Sequence, residues 1–147
     1  LDSGIYCASW VEDYLDGPLE VVRAGARWEA GVDCAVAAEL RAGERTARLA
    51  TAADRDDARY ARLVGTEGQI VVEQMHRPEH ARLERTGEKP VKLELPYPVD
   101  DLYGEVKHFV GLLCAGKTES PVMPLAASLR CAELLDVVGD AIRATRG

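Results

Sequence analysis

The sequence predicts an α+β fold, an open and predominantly antiparallel sheet with helices packed on one face. Three observations carry this expectation. Apolar and polar residues alternate with period two through the long middle of the chain, the period turns helical after Pro96-Tyr97-Pro98, and the two patterns follow one another without interleaving.

Taken in order, Ile5, Tyr6, Trp10 and Tyr14 recur at helical spacing, and Asp16-Gly17-Pro18 stops the pattern, so a short helix runs from Ile5 to Leu15. Val22, Ala24, Ala26 and Trp28 then alternate with Arg23, Gly25 and Arg27, and Cys34, Val36, Ala38 and Leu40 alternate with Ala35, Ala37, Glu39 and Arg41. Period two with one apolar set predicts strands that bury one face. The turn Arg41-Ala42-Gly43-Glu44 leads into a return strand from Arg45 to Thr51. A fourth strand is expected near Arg59 to Val64, and after Gly65-Thr66-Glu67-Gly68 a fifth from Gln69 to Glu73. Ala81 to Arg85 and Val91 to Leu95, joined through Thr86-Gly87-Glu88, complete the set. Leu102, Val106, Phe109, Val110 and Leu113 make one helical stripe ended by Gly116. Pro124 opens a last helix with Leu125, Leu129, Ala132, Leu135, Val138 and Ile142 on one face.

A chain of 147 residues fits a single domain, and 47% hydrophobic with 29% charged residues is enough to build a core. The net charge of -7 argues against a nucleic-acid partner, since phosphate binding needs clustered Lys and Arg. The arginines at 41, 45, 48, 55, 59 and 62 have acidic residues among them, which describes a mixed solvated surface. No stretch reaches the roughly 18 apolar residues of a membrane span. Cys7, Cys34, Cys114 and Cys131 form no CxxC or Cys/His cluster, so buried free thiols in a reducing cytoplasm are expected, and no metal. The outward sheet face would carry small or mixed residues, Gly25, Ala35, Ala37, Thr46 and Ala50, which suit a second copy better than bulk water.

Two stretches resemble one family. In "YGEVKHFVGLLCAGKTESPVMPLAASLRCAELLD", Glu105, His108 and Phe109 follow an E-x-x-H-F helix. Gly116, Lys117, Glu119 to Pro121 and Met123 to Leu125 then follow G-[KR]-x-E-S-P-x-M-P-L. This is similar to the C-terminal part of the glucose-fructose oxidoreductase, inositol dehydrogenase and MocA family of NAD(P)-dependent oxidoreductases. "LDSGIY" resembles the L-x-D-x-G-x-[HY] segment that ends the nucleotide-binding half of such enzymes, and "VGTEGQIVV" echoes the family's G-T-x-G turn. The resemblance implies a C-terminal substrate-binding and oligomerisation domain, cut at its junction with a Rossmann domain and inactive alone. It implies NAD or NADP held mainly by that absent domain, a small-molecule sugar, cyclic polyol or dihydrodiol-like substrate, and a homodimer or homotetramer built through the free sheet face.

Oxidising an alcohol requires a group that moves the hydroxyl proton, and a phenol of pKa about 10 can do so when a nearby cation lowers it. The resemblance places Tyr6 where relatives carry a catalytic His or Tyr, and Asp2, one helical turn earlier, beside it as a group orienting substrate or proton relay. The bland alternative makes Asp2 an N-cap and Tyr6 a core aromatic. Trp10, at i+4 from Tyr6, would line the substrate pocket, and Trp28 belongs to the core. Glu88-Lys89-Pro90 spells the family's lysine motif but lies too late in the chain, so it reads as a turn. His108 is expected to be structural, His76 and His80 to bind no metal, and "TESPVMP" to cap and pack the last helix through Thr118, Glu119 or Ser120 and Met123. No G-x-G-x-x-G follows a strand, so these residues lack the dinucleotide fingerprint. The rival readings are a stand-alone α+β binding or oligomerisation module without redox chemistry, and, fitting the two closing helices poorly, a hydrolase using Asp2 or Glu105.

Overall fold

The computed structural model describes residues 3–15, 17–56 and 58–146. The α+β class with antiparallel strands holds, and the strands fall into two sheets, of three and of four strands. The chain divides into two compact units, Leu1–Asp57 with Val122–Gly147, and Ala58–Pro121.

In the first unit, α1 (Gly4–Tyr14) is followed by β1 (Glu20–Glu29), β2 (Val32–Ala42) and β3 (Arg45–Ala52), a meander in the order β1-β2-β3. Short turns at Ala30-Gly31 and Gly43-Glu44 join them. The C-terminal helix of this unit, Leu125–Ala144, packs with α1 against the sheet. Val36, Ala38 and Leu40 of β2 and Leu49 of β3 point at these helices, meeting Ala8 and Val11 of α1 and Cys131, Leu134, Val138 and Ile142 of the C-terminal helix. Burying such a side chain contributes about 1.5–3 kcal/mol for the larger ones. A register shift between Val21 and Arg23 alters the expected inward set of β1. Val21 faces Leu40 and Arg23 faces Glu39, so the extra residue Val22 is left 48% exposed.

The sheet face away from the helices is banded. Arg23, Glu39 and Arg48 share one row, with Glu39 accepting from Arg23 at 2.9 Å and lying 3.5 Å from Arg48. The next row, Gly25, Ala37 and Ala50, is made of small residues.

In the second unit, β4 (Tyr60–Val64), β5 (Gly68–Glu73), β6 (His80–Arg85) and β7 (Val91–Glu94) form an antiparallel meander, followed by α2 (Asp101–Cys114). The C-terminal helix of the first unit is therefore α3. Cross-strand pairing places Leu63, Ile70, Leu83 and Val91 in one row and Ala61, Val72, Ala81 and Leu93 in the next, which gives this sheet one apolar face. Gly68 sits where its backbone closely approaches β6. A Cβ there would collide with the Glu84 carbonyl oxygen and come within 2.9 Å of the Arg85 Cα.

The Asp100 carboxylate accepts from the Tyr103 N–H at 2.7 Å and caps the start of α2. At its end, Gly116 (φ +63°) donates to the Leu113 carbonyl and Lys117 to that of Leu112, the paired bonds of a Schellman stop. The expected stripe of α2 is left open, with Leu102, Val106, Phe109, Val110 and Leu113 each at least half exposed. For α3, Pro124 is the N-cap and brings no side-chain bond, so the capping oxygen expected from Thr118, Glu119 or Ser120 does not occupy that position. Met123, expected to fill a gap under this helix, is 42% exposed.

Gly68→Ala is expected to destabilise the protein by about 1–3 kcal/mol, because a packed backbone must shift. Gly111→Ala, on α2 with open space around the new methyl, should raise stability by about 0.5–1 kcal/mol. Urea titration of both variants checks the contrast.

Candidate functional site on helix α1

Helix α1 has two faces of different character. Its inward face is made of small or short residues, with Gly4, Ala8 and Val11 buried and Cys7 and Leu15 half-buried. Ala8 and Cys131 of α3 are both fully excluded from solvent, which is possible because neither side chain holds the helices apart. The large rings must then lie elsewhere. Tyr6, Trp10 and Tyr14, spaced four residues apart, share the outward side. Tyr6 is 53% and Tyr14 48% exposed, and the half-buried Trp10 stacks on Tyr14 with centroids 5.6 Å apart and planes 20° from parallel.

The apolar stripe seen in the sequence is thus the solvent side of the helix. Tyr6 is not a core aromatic, and Trp10 is half-buried outside the core. Asp2, its expected companion, lies outside the described residues. Trp28 packs against the core as expected, and the Arg146 guanidinium lies over its ring at 4.5 Å. A second polar feature ties α1 down. Glu12, whose side chain is only 13% exposed, forms an ion pair with Arg130 of α3.

The thiols near this helix are held toward the protonated form. Burial pushes Cys7 up, against the opposing effect of its bond to the Ala50 carbonyl, and burial also pushes Cys131 up. Both therefore hold their protons more tightly than a free thiol. Cys114 departs from the expected buried state, because it ends the open helix α2 and is exposed.

In the second unit, Gln69 Nε2 and Arg82 Nε each donate at 2.5 Å to the Glu84 carboxylate, and these bonds, Gln69 first, hold it below the usual carboxylate range. Glu73, His80, Arg82, Lys92 and Glu94 line a nearby cleft of about 310 Å³. Sequence reading did not find this cleft, which depends on strand register, although the alternation of charged residues along β6 and β7 was a usable signal. Tyr97 is pushed up by burial and by Asp101 and Glu79, the wrong direction for a proton-transfer phenol. His108 Nε2 lies 2.9 Å from the Ser120 hydroxyl, a structural contact. Glu88 falls in the β6–β7 turn, where its N–H donates to the Arg85 carbonyl. Among the described residues no three His, Cys, Asp or Glu side chains are grouped to hold a metal ion. No helix among them is long and apolar enough to cross a membrane.

Both sheets are antiparallel throughout, so they provide no parallel strand-to-helix crossover in which a pyrophosphate is normally cradled.

No protein-family model matches the chain. It is 25% identical over 136 residues to scyllo-inositol 2-dehydrogenase (NADP(+)) IolU of Bacillus subtilis, a match covering 92% of this chain and 42% of that protein. Among solved structures it resembles aldose-aldose oxidoreductase from Caulobacter crescentus, crystallised with glycerol, at a TM-score of 0.78 and 17% identity, covering 97% of this chain and 44% of that one. It also resembles UDP-N-acetylglucosamine 3-dehydrogenase GnnA from Acidithiobacillus ferrooxidans at a TM-score of 0.75 and 17% identity, covering 95% and 45%. The chain thus spans less than half the length of each.

Alkylation at pH 8 should modify Cys114 quickly and Cys7 and Cys131 slowly, since a raised pKa leaves less thiolate at that pH. Peptide mapping after timed iodoacetamide treatment reads the order.

Proposed function

We propose, for a chain that carries the fold and the C-terminal motif of the glucose-fructose oxidoreductase, inositol dehydrogenase and MocA family, that it is the substrate-side and assembly part of an NAD(P)-dependent oxidoreductase. Its substrate is a sugar, a cyclic polyol or a dihydrodiol-like hydroxyl compound. The observation that carries this reading is the outward aromatic face of α1, which has Tyr6 at the position where the motif calls for a proton-transfer residue.

On this reading the Tyr6 phenol takes the hydroxyl proton as the alcohol carbon is oxidised and returns it in the reverse direction. Asp2 orients the substrate hydroxyls or the relay, and Trp10 lines the pocket. NAD or NADP supplies the hydride chemistry and is held by residues outside this chain, so the chain alone is inactive. The activities by which the similar proteins are named, on scyllo-inositol, aldoses and a sugar nucleotide, support the substrate class. The small-residue row Gly25, Ala37 and Ala50 supports assembly of identical copies through the outward sheet face.

In the full-length protein, screened for hydride transfer against sugars and polyols, Tyr6→Phe should lower kcat by about 10²–10⁴-fold. Wild-type turnover by that variant removes the proton-transfer role. Ala37→Arg should shift sedimentation toward the monomer; a wild protein that is monomeric at high concentration ends the assembly reading.

A further inference from the structure

We infer that Glu12 and Arg130 are positioning residues that set the rotation of α1 on α3, and through it the direction of the outward aromatic face; the inference rests on that face being the substrate side. The carboxylate of Glu12 is largely removed from water, a state that is unfavourable unless a cation meets it. Arg130 supplies that cation from a helix 118 residues away in sequence, through its Nε. This is a contact between helices and not a local pair along one.

The rest of the helix-to-helix contact is less directional: the Cys131 thiol and Ser9 share a weak sulfur hydrogen bond, and the neighbouring residues are apolar. Gly4, Ala8, Ala127 and Cys131 present small apolar surfaces. Such surfaces hold helices close, yet they carry no direction and resist rotation weakly. A charge-assisted hydrogen bond is directional. Because Arg130 is itself 55% exposed, solvent screens the pair, so its Coulomb attraction adds little to stability. Its effect lies in fixing geometry. Glu12 falls between Trp10 and Tyr14 along the helix, so a rotation that releases it also moves the stacked rings and Tyr6.

The test uses the full-length protein in a Trp28→Phe background, leaving Trp10 as the tryptophan of this chain, at a temperature well below the lowest Tm of the set. Arg130→Met should alter the near-UV circular dichroism of the Trp10–Tyr14 stack and lower kcat about 10–100-fold with little change in KM. Arg130→Lys should recover part of both, and Glu12→Gln/Arg130→Met should be no worse than Arg130→Met, since both remove one interaction. If Arg130→Met lowers Tm while spectrum and kcat stay wild-type, the pair is a plain staple and the inference is wrong. Should Arg130→Met not fold, Arg130→Lys and Glu12→Gln make the same comparison. Tyr6→Phe is measured in parallel. Full turnover there, together with a spectrum that responds to Arg130→Met, overturns the proton-transfer role and leaves the positioning of α1 standing.

Discussion

The close approach of α1 to α3 over the three-stranded sheet is the constraint on which the first unit depends. Two helices on one side of a sheet approach most closely where the side chains between them are small, and Ala8 and Cys131, both fully excluded from solvent in one core cluster, suit such an approach. The aromatic residues of α1 are left out of the contact. Three aromatic rings on the outward side are the direct result, so the same packing rule that builds the core also creates the surface on which the chemistry is proposed. The cost is an exposed patch of rings, which natural surfaces seldom keep without a use.

The strands and helix stops were readable from the sequence because each depends on local pattern. Seven candidate strands became seven strands, and Gly17 and Gly116 followed the helices where the chain was expected to turn. The faces of the helices were not readable in the same way. Hydropathy favours Ile5, Tyr6, Trp10 and Tyr14 as the inner set of α1, and Leu125 and Leu129 as part of the inner set of α3, yet Leu125 and Leu129 are 70% and 60% exposed. Which face packs depends on the partner surface, and that has no signature in a single helix. The inward set of β1 slipped for a related reason. Val21 and Val22 are equally apolar, and only the pairing of Val21 with Leu40 reveals which is inside.

The site was legible to a different degree. Tyr6 was marked by its place in a motif, and its exposure came from the structure. The contact between Glu12 and Arg130 joins opposite ends of the chain, and no spacing rule links residues so far apart. The cleft of β5–β7 depends on Glu73, His80 and Glu94 meeting in one row, which follows from register and not from composition. The two sheets also differ in how they present themselves. The first buries one face under helices and bands the other with charged and small rows, whereas the second has one apolar face and an opposite face on which charged residues stand beside Tyr60, Val64 and Val71.

The surplus residue in β1 bears on how this strand could change length. Removing Val22 would leave Val21 inward, Arg23 outward and Ala24 inward, so the ladder would become regular at this point, the second shift at Arg27/Trp28 remaining, and no other side chain would exchange sides. Loss of a residue further along β1 would instead turn part of the strand inside out. Among related sequences, single-residue gaps in this strand should therefore gather at one point, where the sheet already carries an optional member.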